Sequence, residues 1–198
     1  MRSIAIVLGA AVLLAACGGA TTQPSPAPAA PTAAPTTAQP TVAATTAAPA
    51  PTPAAKLTFT AALKTENEVP PIANDEKSAS GKATFTLDLT RDAAGKITAA
   101  KASIDATFGG LPGTALIHIG HLHGPAAAGV NAGVKIPFKA DADVPLVLTA
   151  GATTFKKADI TVEAGLAQEI IDKPGDYYVN FHSRLNAGGV VRGQLVKG

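Results

Sequence analysis

The sequence predicts an all-β domain, an antiparallel sandwich or barrel with one short helix, carried on a disordered stalk. Three observations predict it. Apolar and polar residues alternate along successive runs, the signature of half-buried strands. Glycine- and proline-marked turns interrupt those runs every ten or so residues, which favours an antiparallel arrangement over an α/β one. All six phenylalanines and both tyrosines fall between Phe59 and Phe181, so a single core belongs to that part of the 198-residue chain.

The stretch before the domain reads as delivery. Met1-Arg2-Ser3 carries one positive charge and leads into the uncharged apolar run Ile4 to Ala16, too short to span a bilayer and therefore read as a signal-peptide core, residues 1–16. It ends in Leu14-Ala15-Ala16-Cys17-Gly18, which resembles a bacterial lipobox, and Cys17 is the only cysteine. The expectation is a lipidated Cys17 that anchors the chain to the membrane of a bacterial cell envelope, on its extracytoplasmic side. From Gly18 to Ala55 there is no charge and no aromatic, only a mixture dominated by Ala, Pro and Thr. Such a segment buries too little apolar surface to offset its chain entropy, so residues 17–55 read as a disordered, partly polyproline-II linker. Fully extended, it would reach on the order of 120 Å.

Lys56 ends the uncharged tract, and one β domain is expected over residues 56–198. Near-neutral charge, +2 overall, and the lack of a Lys/Arg cluster argue against nucleic acid as a partner. With Cys17 used for lipid and Met1 lost with the signal peptide, neither a disulfide nor a thiolate or thioether metal site is available.

Within the domain, Leu57, Phe59, Ala61 and Leu63 share one face of a first strand. Glu66-Asn67-Glu68-Val69-Pro70-Pro71 reads as a turn or edge, because two prolines deny the sheet two donors. Its carboxylates Glu66 and Glu68 read as solvated in the absence of a partner base. Ala83, Phe85, Leu87 and Leu89 point inward from a second strand, a Gly95-terminated hairpin follows, and Ile97 to Phe108 returns. Val134 to Phe138 and Val144 to Leu148 read as short edge strands, each with a proline. Between Ile160 and Ile171 the spacing turns helical, with Val162, Leu166, Ile170 and Ile171 as an apolar face.

Two stretches carry chemistry. Residues 116–123 form a histidine strand, Ile117-His118-Ile119-Gly120-His121-Leu122-His123. Its period of two puts His121 and His123 on one face, roughly 6.6 Å apart along the backbone, and turns His118 the other way. The closing strand divides into Tyr177, Val179 and Phe181 on one face and Tyr178, Asn180 and His182 on the other. Two readings of the histidines stand side by side. In one, His121 and His123 are structural groups that hydrogen-bond neighbouring backbone or Asn180. In the other, His121, His123 and His182 hold Zn or Cu, with a water or Tyr178 completing the site. Ligand binding would then weaken as pH falls through about 6.5, the unperturbed histidine value. Arg192 is expected to pair with Asp176 or a Glu at the sheet edge. A nucleophilic enzyme is disfavoured, because Ser183 points away from His182 and no Gly-x-Ser-x-Gly turn exists.

Asn67-Glu68-Val69-Pro70-Pro71, His121-Leu122-His123-Gly124 and Tyr178-Val179-Asn180-Phe181-His182-Ser183, followed by Gly189-Val190-Val191-Arg192-Gly193-Gln194-Leu195, together resemble the CHRD domain. That module is repeated in chordin and occurs singly in bacterial proteins, and the resemblance covers about residues 57–197. It implies an immunoglobulin-like all-β fold and an extracellular setting. Chordin's antagonism of growth factors does not carry over to a lone copy. The chain departs from the pattern in its extra His118 and in Val190-Val191, where an acidic residue often precedes the arginine. The resulting expectation is a surface-tethered binding module for an unknown protein or surface ligand. The alternative is a Zn- or Cu-dependent enzyme or metal scavenger built on the three histidines, with Glu68, Asn180, Tyr178, Arg192 and His118 in support.

Overall fold

The computed structural model describes residues 52–139 and 145–198. The expectations on the leader, on Cys17 and on the linker up to Pro51 fall outside those residues, as does Val144.

Three long strands form a meander: β1 (Thr52–Lys64), β2 (Ser80–Arg91) and β3 (Ile97–Gly109). Their register sets Phe59 opposite Phe85 and Phe85 opposite Ile104, so the inward rows read from the alternation stack on one face. β1 begins four residues before Lys56, with Thr52 opposite Arg91, so it takes in the last residues of the segment read as linker. The histidine strand β4 (Ile117–His123) pairs with both β5 (Val134–Lys139) and β7 (Tyr178–Ser183). β6 (Thr153–Val162) pairs with β3, β8 (Val191–Gln194) joins β7 to the end of β1, and the two-residue β9 (Val196–Lys197) pairs with β1. Every pairing is antiparallel. The strand order β5-β4-β7-β8-β1-β2-β3-β6 belongs to one continuous sheet whose end strands β5 and β6 come into contact. Of the sandwich and barrel alternatives, this is a nearly closed barrel: twisted antiparallel strands curl until the exposed edges meet.

The core fills the inside of that curl. The six phenylalanines come from six different strands and touch in one chain: Phe59 to Phe85 at 6.3 Å between ring centroids, Phe85 to Phe138 at 6.1 Å, and Phe138 to Phe181 at 6.4 Å. Phe108 and Phe155 meet Phe181 edge-on at 4.7 and 5.6 Å. Gly120 makes this possible, because a Cβ there would overlap the Phe181 ring across the β4/β7 pair.

Two expectations are corrected. Residues 145–148 do not form a strand: Pro145 has no N–H to donate, and among the described residues the segment's backbone tie is the Leu146 N–H donating to the Ile117 carbonyl at 2.7 Å. The helix α1 (Ala164–Asp172) starts later than its apolar spacing implied. The β-branched Ile160 and Val162 of β6 are paired with Ala102 and Ala100, so Val162 is a strand residue; of the expected face the helix buries Ile170, beside Ala167, and packs Leu166 and Ile171 against the core. The Tyr177 hydroxyl donates to Glu169 of α1 at 2.7 Å and ties the helix to the start of β7.

Candidate metal centre

β4 and β7 are neighbours, and their register makes the site. His123 lies opposite Tyr178, His121 opposite Asn180, and Ile119 opposite His182. Directly opposed residues on one face have Cβ atoms about 4.5–5.5 Å apart, so side chains distant in sequence meet here. One ring nitrogen from each of His121, His123 and His182 lies within 4.8 Å of the other two. His121 Nδ1 is 3.1 Å from His182 Nε2, and the three rings pack at 4.9 to 6.3 Å between centroids.

Backbone carbonyls set two of the three rings. His123 Nδ1 is 2.9 Å from the Ala132 oxygen, and His182 Nδ1 is 2.9 Å from the Ala187 oxygen. A carbonyl only accepts, so each Nδ1 carries the proton and each Nε2 of the neutral ring presents a lone pair. The Nε2 of His123 is buried without a partner. A ring held by one nitrogen with the other free is how metal-ligating histidines are oriented.

Behind the triad lies a stack. The Tyr178 ring lies flat on His123, 4.9 Å between centroids and 2° from parallel, and the Arg192 guanidinium carbon sits 3.5 Å from the centre of the Tyr178 ring. Tyr178 does not complete the site as a ligand. Its hydroxyl accepts from the Ala132 N–H at 3.1 Å, beside the carbonyl that holds the Nδ1 edge of His123 and not its free Nε2.

Other expected roles are redistributed. Arg192 has no partner in Asp176: its guanidinium donates to Asn131 Oδ1 at 3.1 Å and to the Val130 carbonyl at 2.8 Å, within the long connection after His123. Asn180 bonds no histidine and donates instead to Glu68 at 2.7 Å. A short 3-10 turn at Thr65–Asn67 separates the two carboxylates, leaving Glu66 exposed on Lys64 at 3.0 Å while Glu68 is buried. His118 does not simply face away. A bulge between Ile117 and Ile119 breaks the alternation, as the full burial of both Ile117 and Leu122 shows, and a charge on His118 would reach His182. Both His118 ring nitrogens are buried without a partner. Sequence reasoning missed the carbonyls of Ala132 and Ala187, which carry no side-chain signal. It also missed Gly189, where a Cβ would stand 2.6 Å from the Glu68 carboxylate.

A family model of the CHRD domain matches residues 59–195. The chain belongs to the CHRD domain family. No curated protein and no solved structure matches it. Within this CHRD domain the three motif segments, distant in sequence, assemble around one centre: Glu68 from the first, His121 and His123 from the second, and Asn180, His182 and Arg192 from the third.

The electrostatics of the CHRD site favour neutral imidazoles. Burial, then the neighbouring His182 and His123, pulls His121 down to about 4. Burial likewise lowers His123 and His182, against the carbonyl hydrogen bonds that raise them. Proton competition for the triad therefore sets in below 6.5, lower than unperturbed histidines imply. Burial pushes Glu68 up to about 7, against the opposing pull of Arg192 and the Asn180 hydrogen bond. These shifts act in opposite directions on stability. Between pH 6.5 and about 4 the unfolded chain binds more protons at the histidines, so acid destabilises. Between about 7 and 4.5 the folded chain binds more at Glu68, so acid stabilises. Three histidines outweigh one carboxyl, and the protein is expected to lose stability as pH falls from 6.5 to about 4. Glu68→Gln is expected to steepen that loss. Urea unfolding at stepped pH measures both, and a flat profile would contradict the assignment.

Proposed function

We propose that the chain is a surface-tethered, extracytoplasmic CHRD binding module whose binding centre is a Zn or Cu ion held by His121, His123 and His182. The observation that carries this is the convergence of three neutral imidazoles, two set by backbone carbonyls, with the buried Nε2 of His123 otherwise unpartnered. Imidazole nitrogens without thiolate or thioether suit these two metals. Glu68 and Arg192 also line a cleft of about 480 Å³ with Asn67, Val69, Ala128 and Gln194, a concave surface for a protein or surface ligand. Metal scavenging would need only the triad. A hydrolytic enzyme using Ser183 is not supported, because the Ser183 hydroxyl donates to the buried Glu76.

Calorimetric titration of the purified protein with Zn and with Cu tests the centre. The wild type is expected to bind one ion. His123→Ala and His182→Ala are each expected to weaken binding by at least about 100-fold, since even outer-shell changes cost metal sites 10- to 100-fold. Equal binding by the double variant would make the histidines structural. Tethering rests on the sequence around Cys17. Cys17→Ala is expected to move the protein from the membrane to the soluble fraction, and unchanged fractionation would remove the anchor from the proposal.

A further inference from the structure

Resting on the metal reading above, we infer that the centre is open: its fourth position takes a solvent molecule that small monodentate anions displace, and Asn180 positions that solvent. Among the described residues, the His, Cys, Asp and Glu ligand atoms that converge here come from three histidines alone, and the Tyr178 hydroxyl is held elsewhere by Ala132. Zinc sites with three protein ligands are those that keep an exchangeable fourth ligand.

Asn180 is placed to hold that ligand. It lies between Tyr178 and His182 along one face of β7 and directly opposite His121 across the β4/β7 pair, so its side chain shares the histidines' face of the sheet. It is 2% exposed, its Nδ2 donates to Glu68, and its Oδ1 is buried with no partner. Buried amide oxygens almost always have a donor, so this one calls for a ligand that carries a proton. The amide is braced from behind. Gly189, at φ +136°, is the only residue type that leaves room there, because a Cβ would press on both the Asn180 amide and the Glu68 carboxylate. With Nδ2 committed to Glu68, the acceptor Oδ1 remains for the triad side. An acceptor at that place favours water over an aprotic anion, since water can donate to it and azide cannot.

The experiment loads the full chain with Co(II), a spectroscopic stand-in for Zn, and titrates it with azide. The wild-type visible bands are expected to shift saturably, reporting replacement of an inner-sphere ligand. Asn180→Ala is expected to keep Co(II) affinity within a few-fold of wild type yet bind azide roughly three- to tenfold more tightly, the size of one lost hydrogen bond to the competing water. A purely structural role for Asn180 would not change azide affinity while metal affinity is retained. If wild-type Co(II) bands do not respond to azide, the site is closed and this inference fails while the metal reading stands. If azide shifts the bands but Asn180→Ala leaves its affinity unchanged, the positioning role fails. If the wild type takes up no Co(II), the metal reading and this inference fall together.

Discussion

Phe181→Ala is expected to destabilise the domain by roughly 3–5 kcal/mol, the range for removing a fully buried aromatic ring. Phe181 is completely buried and is the one phenylalanine whose ring meets three other phenylalanine rings, Phe108, Phe138 and Phe155. Its loss therefore opens a void bordered by β3, β5 and β6 at once. The surrounding strands are held in register by their backbone ladders and cannot collapse into it, which places the cost at the upper part of the range. Denaturant unfolding should show a lower midpoint with little change in slope. A loss below about 1 kcal/mol would mean that the barrel interior is less tightly packed than the ring geometry implies. The same substitution removes the ring against which Gly120 is fitted, so Gly120→Ala should be better tolerated in the Phe181→Ala background than alone, a coupling that a double-mutant cycle reads directly.

Arg192→Ala is expected to cost roughly 1.5–3 kcal/mol, the range for hydrogen bonds made by a charged group, and for a different reason. Arg192 is 1% exposed, yet no carboxylate lies within ion-pair distance of it among the described residues. Its charge is distributed over Asn131, the Val130 carbonyl and the face of Tyr178, and is answered at longer range by Glu68. Removing it takes the donor from Asn131 and from the Val130 carbonyl, both on exposed residues that water can reach, and leaves the buried Glu68 without the cation that favours its ionised form. Arg192→Lys should not restore the loss, because an ammonium cannot stack flat on Tyr178 while reaching both acceptors. Adding Glu68→Gln to Arg192→Ala should recover part of it, since the uncompensated carboxylate is then gone. Urea unfolding of the four proteins separates the terms. A full rescue by lysine would show that charge alone matters and would overturn the stacking account.

Both expectations depend on features that differ in how far they could be read in advance. The inward rows Ala83, Phe85, Leu87 and Leu89, and the division of the last strand into Val179 and Phe181 against Tyr178, Asn180 and His182, were legible in the sequence. A strand's period is a property of the chain itself, and burial on one face leaves its mark at every second residue. The same rule placed His121 and His123 together. It failed at His118, because a bulge adds one residue to one strand of a pair and resets the alternation with no local signature. It failed again at Ile160 to Val162, where helical spacing yielded to pairing with β3.

What only the tertiary structure decided is who stands beside whom. Pairing of β4 with β7 brings His121 to His182 across 61 positions of chain. The return of the chain along β8 lays Arg192 on Tyr178 rather than beside Asp176. The carbonyls of Ala132 and Ala187 choose the imidazole tautomers, and every residue has such a carbonyl, so composition could not single them out. The sequence by itself determined strand faces, the all-β class and the identity of the histidines, because those follow from local periodicity and side-chain chemistry. The site's geometry had to wait for the fold, because strand register is set by the summed pairing and burial of residues far apart in the chain.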